Sequence, residues 1–357
     1  MQSSVHQTEL LLFFTLLQLS LIVIAARVGG EIAARLAQSR VVGEIIVGLL
    51  LGPSLFGLLA PDMFAYVFRS VPAEPMTILS QIGLILLMFQ IGLEFDFGHL
   101  KVGYNRKAVL NISIVGLALP FSLGVLFGWI SHPYLAAQIH LVGYVLFVGT
   151  AFSITALPVL GRILMELDLN RSRVGVIAIS SAAVNDVIGW LMLAVVTALT
   201  GAQFSPPDFA LSVGLIAIYI AVCWWVVRPL LLRLLRRCGA NSGKLSPNLV
   251  GILISAIFLS GMTTYHLGIF AIFGGFMLGV LLHDQAGFVS AWRGKIGDFV
   301  LVFFLPIFFM YTGLRTNIGA LDSTRPVGLV PAAARGGEHR QVRWTLFRRP
   351  ALRHAAA

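Results

Sequence analysis

VGVIAISSAAVNDVIGWLMLAVVTALT, Val174 to Thr200, carries Asn185 and Asp186 and no basic residue. About 20 apolar residues in helix cross the hydrocarbon core of a bilayer, and this run exceeds that length. An ionisable group at the centre of such a helix costs roughly 2.5 to 3.5 kcal/mol on insertion scales. A carboxylate placed there without a cationic partner therefore reads as an ion or proton site, and Asp186 is the first candidate.

The remainder of the chain has the same character. Hydrophobic residues make up 58% of the 357 and charged residues 11%, where a soluble chain carries about 25% charged. The fold class expected is an all-α polytopic membrane protein. Ten stretches are long or apolar enough to be spans, near 9–26, 41–60, 76–93, 108–130, 141–164, 174–200, 210–232, 248–266, 268–282 and 299–314. The first contains Glu9 and has no Lys or Arg before it, so it reads as a span rather than a cleavable signal. Cys223 lies in an apolar segment and Cys238 in a basic loop, a pattern that suggests no disulfide framework and no metal site. No cofactor is expected.

Lys and Arg are retained on the cytoplasmic side of membrane proteins. The connections after spans one, three, five, seven and nine hold sixteen of them, from Arg27 to Lys295, whereas the alternate loops hold only Arg69. This places the N-terminus outside and the odd-to-even connections in the cytoplasm, with a bacterial inner membrane as the expected location. Residues 323–357 supply +6 of the +10 net charge, so the membrane body is only +4. The charge rule accounts for that, and nucleic-acid binding is not indicated. No soluble domain, HExxH, nucleophile triad within a span or phosphate loop is present, which argues against an enzyme.

Span five, FVGTAFSITALPVLGRIL (Phe147 to Leu164), gathers Gly149, Thr150, Ser153, Thr155 and Pro158 at its middle. Pro158 lacks a backbone donor and clashes with the preceding turn, so the carbonyls near Ile154 and Thr155 lose their helical partners. At membrane depth such backbone survives only against protein or a water-filled cavity. Hydroxyls and unwound carbonyls beside a carboxylate make an oxygen-rich pocket suited to a small hard cation. A kinked packing helix is the alternative for a lone proline; beside Asp186 the polar site is the stronger reading. Ala182, Ala183 and Gly189 leave the Asp186 face with little bulk, so a broken neighbour can approach it. Ser181, one turn before Asn185, is placed to orient the amide, and Asn185 itself is either interhelical glue or a direct participant.

AFSITALPVLGRILMELDL followed by VGVIAISSAAVNDVIGW resembles the monovalent cation:proton antiporter-2 family, within the Na+/H+ exchanger superfamily and closest to its plant and bacterial cation/proton exchangers. The similarity continues through VVGEIIVGLLLGPSLFG (41–57), IGLILLMFQIGLEFD (82–96), GGFMLGVLL (274–282) and LPIFFMYTGLRTNI (305–318), covering roughly residues 10–320. The resemblance implies an inverted-repeat antiporter fold of about thirteen spans in which two broken helices cross, assembled as a homodimer. It implies that Asp186 alternately holds a proton and a Na+ or K+ ion. An Asn185–Asp186 pair resembles the electroneutral type. Thr155 and its neighbours match the first broken helix of the crossing. Gln90, the one amide in the middle of span three, sits where some relatives have a polar site residue, although helix packing is at least as good an account. Glu44 and Glu94 lie near span ends, where an interfacial carboxylate or a loop salt bridge is the commoner explanation.

The chain departs from that pattern after Thr324. RPVGLVPAAARGGEHRQVRWTLFRRPALRHAAA (325–357) is Arg- and Ala-rich with no apolar span, and would emerge on the outside against the charge rule. Codons for Glu338 to Trp344 read one base later can encode Ser-Ile-Gly-Lys-Phe-Gly, and those for Val330 to Ala334 an apolar run, so a frame shift near Thr324 is expected. On this reading residues 1–320 are an exchanger-like membrane domain, C-terminally incomplete, and 323–357 are a basic non-family tail. The last three spans, with the second broken helix and a Lys, are then missing, and weak or no transport is expected from this polypeptide. The function expected of an intact version is monovalent cation:proton antiport. The rival readings are a non-transporting remnant that senses or assembles, and a cation channel.

Overall fold

The computed structural model describes residues 2–95, 103–200, 206–239 and 245–317. The tail from 323 lies outside the described residues. The described residues form helices joined by turns, with no strand among them. In chain order the helices are α1 (Gln2–Arg35), α2 (Arg40–Leu51), α3 (Phe56–Leu59), α4 (Pro61–Phe68), α5 (Glu74–Glu94), α6 (Gly103–Leu135), α7 (Leu141–Ser153), α8 (Leu157–Glu166), α9 (Arg173–Thr200), α10 (Pro206–Val222), α11 (Arg228–Arg237), α12 (Pro247–His266), α13 (Ala271–Leu282), α14 (Ala286–Trp292) and α15 (Leu305–Leu314).

Local chemistry sets many of these ends. α2 stops at Leu51, ahead of Gly52 and Pro53, because a residue before proline avoids the α region. Proline stands in the first turn of α4, α5, α8 and α12, where its missing N–H costs nothing, whereas Pro229 and Pro306 come just after the π turns from which α11 and α15 continue. Ser246 caps α12, its hydroxyl accepting from the Leu249 N–H at 3.3 Å. Gly268 turns the chain into α13 at φ +82°, a conformation that favours glycine.

Each of the ten stretches read from the sequence is mainly helical, with the helix interrupted at 52–55 and at 154–156. Among the described residues, seven helical segments are long and apolar enough to cross a membrane, and eight if Ala286–Leu314, bent by 46°, is one span; Ala271–Leu282 is shorter. α9 adds a further apolar helix of 28 residues. α1 continues past residue 26 to Arg35, as a polar extension in which Glu31 and Arg35 pair across one turn at 3.7 Å. Three π turns, Cys223–Val227, Arg293–Gly297 and Val300–Phe304, join or interrupt the later helices.

Two groups of helices emerge. In the first, α1 packs on α2, α2 on α15, and α5 on α13 and α15, with α12 against α13. Glycines set the closeness. A Cβ on Gly279 of α13 would strike the Phe89 carbonyl of α5, and one on Gly92 of α5 would strike the Phe276 carbonyl in return. Backbone-to-backbone packing of this kind is how helices associate where lipid offers no hydrophobic driving force. α5 is the centre of this group: Leu87, Met88, Phe89, Gln90 and Ile91 are fully buried. The Phe89 ring meets Trp292 edge to face, centroids 4.8 Å apart.

In the second group α6 packs along α7 and α9, and α9 also touches α7 and α8. Gly124 and Gly149 bring α6 and α7 together. α8 is the bridge, contacting both α5 and α2 of the first group. Leu110, Ile112, Ile114 and Val115 of α6 stay exposed, as residues facing lipid tails do.

Candidate functional site

Span five is broken where its sequence indicated. α7 ends at Ser153, residues 154–156 are unwound, and α8 starts at Leu157. Ile154 is extended at φ −73°, ψ 126°. The residue four on from Ile154 is Pro158, which has no N–H to offer its carbonyl. Pro158 itself is content as the second residue of α8. Above the break, Thr150 and Ser153 are buried, and their hydroxyls donate to the carbonyls of Leu146 at 2.8 Å and Thr150 at 2.9 Å. Their donors are spent within α7, and what they offer a ligand is lone pairs. Thr155 is half-buried in the unwound turn.

The break faces α9. A Cβ on Gly189 would come within 2.9 Å of the Ile154 side chain, so that glycine admits the unwound turn, as its small size suggested. Asp186 is buried, and its carboxylate lies by the Leu157 N–H at the start of α8, a donor it shares with the Thr155 carbonyl, which accepts from the same N–H at 3.0 Å. The first N–H groups of a helix carry partial positive charge, and this one points at an anion. The carboxylate oxygen Oδ1 is buried with no partner. Asn185 is buried beside it, and its Oδ1 also lacks a partner. Its Nδ2 lies against Gly116 of α6, 3.4 Å from where a Cβ would be. Two unpartnered acceptor oxygens on adjacent residues can share a dehydrated cation, and the carboxylate can instead hold a proton.

The sequence reading of Ser181 is corrected here. Its hydroxyl donates to the Val109 carbonyl of α6 at 3.3 Å, not to the Asn185 amide. A serine one turn away on its own helix had a nearer acceptor on a neighbour.

Gln90 is not joined to Asp186 by any described contact. Its amide Nε2 donates to Glu94 Oε1 at 2.8 Å, and its own Oε1 is buried and unpartnered. Glu94 also accepts from Asn170 at 3.3 Å and pairs with Arg293 at 3.5 Å. The salt-bridge reading of Glu94 thus holds, with the difference that the carboxylate is buried. Glu166, at the end of α8, accepts from the Ser39 hydroxyl and from the Arg40 N–H at 3.2 Å, capping α2. Glu44 lies buried on α2 within the field of Arg162 and Glu166. These carboxylates tie the two helix groups at the base of α8, away from the break.

One functional group was missed in the sequence, the Leu157 N–H. Pro158 was its signal: a proline favours the first turn of a helix, so a new helix starts just before it and turns its first N–H groups toward what lies beyond that end.

The sequence profile of the family described as sodium/hydrogen exchanger, transmembrane, matches residues 19–334. The chain belongs to that family. It is 34% identical over 336 residues to the Na(+)/H(+) antiporter NhaS4 of Synechocystis sp., covering 92% of this chain and 80% of that protein. It is 32% identical to the cation/H(+) antiporter 18 of Arabidopsis thaliana over 88% of this chain, but spans only 38% of that longer protein. The K(+)/H(+) antiporter 1 of Saccharomyces cerevisiae is 31% identical, with 82% of this chain and 34% of that protein covered. The solved sodium proton antiporter MjNhaP1 of Methanocaldococcus jannaschii superposes with a TM-score of 0.59 over 87% of this chain and 72% of its own, at 15% identity. That likeness shows the fold. The chain is therefore an integral multi-pass membrane protein with the antiporter architecture, from a transporter family.

Proposed function

We propose that this exchanger-family chain exchanges a monovalent cation, Na+ or K+, for a proton, with Asp186 as the group that holds each in turn. The observation that carries the reading is the environment of Asp186: buried beside the broken turn, near the Leu157 N–H, with its Oδ1 unpartnered next to the unpartnered Asn185 amide oxygen. Thr155, the Ile154 carbonyl and the lone pairs of Ser153 and Thr150 complete an oxygen-lined niche at the break. Relatives bearing antiporter names for both sodium and potassium support the reaction class.

One carboxylate serving two ligands couples their movement. An empty, charged site carries the desolvation cost of an anion in lipid, and either a proton or a cation removes it. If the site crosses only when neutralised, each passage one way with a cation is matched by a return with a proton. A single carboxylate and a neutral amide make that exchange electroneutral. The basic loops set the cytoplasmic side, with the N-terminus outside and a bacterial inner membrane as the location, and the assembly is a homodimer.

The test is Asp186→Asn in reconstituted vesicles, where cation-dependent proton flux is abolished while circular dichroism and detergent stability stay close to those of the parent. Exchange that persists in this variant contradicts the mechanism.

A further inference from the structure

α6 has one buried polar position where it lies against α9. Across 109–116 only Val109 and Ser113 are buried, and Ser113 Oγ has no hydrogen-bond partner. Serines and threonines elsewhere in the molecule settle their hydroxyls on the carbonyl one turn back, as Ser122 does on Ala118 at 2.8 Å and Thr150 on Leu146 at 2.8 Å. The matching acceptor for Ser113 is the Val109 carbonyl. That carbonyl instead receives the Ser181 hydroxyl from α9 at 3.3 Å.

The register says what Ser113 faces. α9 meets α6 at Val109, opposite Ser181, and at Gly116, opposite the Asn185 amide. Ser113 lies one turn after the first and one turn before the second, on the same helical face. A hydroxyl without a partner therefore stands on the face opposite the Asn185 amide, whose nitrogen lies against Gly116 and whose oxygen has no partner, and the next residue is Asp186. A buried polar group left unbonded costs about 1 to 3 kcal/mol, so two complementary ones on facing helices indicate an unfilled link.

We infer that Ser113 is a positioning residue of the cation site: its hydroxyl donates to Asn185 Oδ1, directly or through one water, and holds the amide with its second lone pair turned to the cation at Asp186. This rests on the role proposed for Asp186. Ser113 touches neither proton nor carboxylate. It fixes how well Asn185 serves as a ligand, so it acts on cation affinity and not on the protonation of the site.

Carbodiimide labelling of Asp186 separates these effects and needs no transport. Dicyclohexylcarbodiimide adds to a buried protonated carboxyl, and a bound cation blocks it. Labelling of Asp186 is read by mass spectrometry on the whole chain in detergent, over a titration of NaCl or KCl at constant ionic strength. Ser113→Ala is expected to raise the half-protecting cation concentration roughly three- to tenfold, the range of one hydrogen bond, with the labelling rate without cation unchanged. Ser113→Thr, which keeps the hydroxyl, restores the parent value. Ser180→Ala, which removes another buried and unpartnered hydroxyl from α9, leaves it unmoved. Protection in the parent with no change in Ser113→Ala, or an equal change in Ser180→Ala, overturns the role of Ser113 alone. No protection by either cation in the parent overturns the Asp186 reading, and this inference with it.

Discussion

Gly189 and Ser181 show what a single position contributes to bringing the site together. Gly189 leaves space for Ile154 of the unwound turn, and a larger side chain has to push the break away from α9. Gly189→Val is expected to cost about 1 to 3 kcal/mol through overpacking, read as a fall in thermal unfolding temperature in detergent, with weaker cation protection of Asp186. Unchanged stability and protection would show that the break stands further from α9 than described. Both carboxylate and glycine were legible in the sequence, because an acid in an apolar run and a missing side chain beside it are local facts. The partner of Ser181 was not. Its hydroxyl had two acceptors within reach in principle, and only the placement of α6 decides in favour of Val109.

At the scale of elements, the α5–α13 pair depends on glycine for its close approach. Gly279 and Gly92 each meet a carbonyl of the opposite helix, so a methyl group there displaces backbone and not a flexible side chain. Gly279→Ala is expected to destabilise the protein by several degrees in thermal unfolding, while Gly251→Ala, with nothing within 4 Å of its Cβ position, is neutral or slightly stabilising through helix propensity. Equal effects of the two would refute close packing as the cause. Helix boundaries were readable where proline marked them. The π turns were not, since one extra residue in a turn leaves the apolar pattern almost intact, and the polar end of α1 was lost because hydropathy stops at the membrane while a helix need not.

Over the whole molecule, the two helix groups meet through α8, with Glu166 on Ser39 and Arg40 and Asn170 on Glu94 as polar fastenings. Glu166→Gln keeps the size but removes the charge from the N-terminal end of α2, where an anion is worth about 0.3 to 1 kcal/mol. Hydrogen exchange should then quicken at residues 40–44 and leave α13 unaffected; protection unchanged at both places would mean that Glu166 is not what holds α2 to α8. The division into groups could not be read from the sequence. The apolar stretches and the break are written along the chain, but which span lies beside which depends on glycine contacts between residues far apart in sequence, as Gly92 and Gly279 or Gly48 and Met310 are, and no periodicity within one helix records them.

The donor to Asp186 belongs to the main chain. A side-chain ligand can be lost by one base change, whereas an amide N–H survives every substitution at Leu157 except proline. The side of the carboxylate that meets this group is thus shielded from mutation, and inherited variation can retune only the other side, through Asn185 and the residues around it. Divergence in ion preference within such a lineage would accumulate on the α6 and α9 side of the pocket and leave the start of α8 as a fixed point.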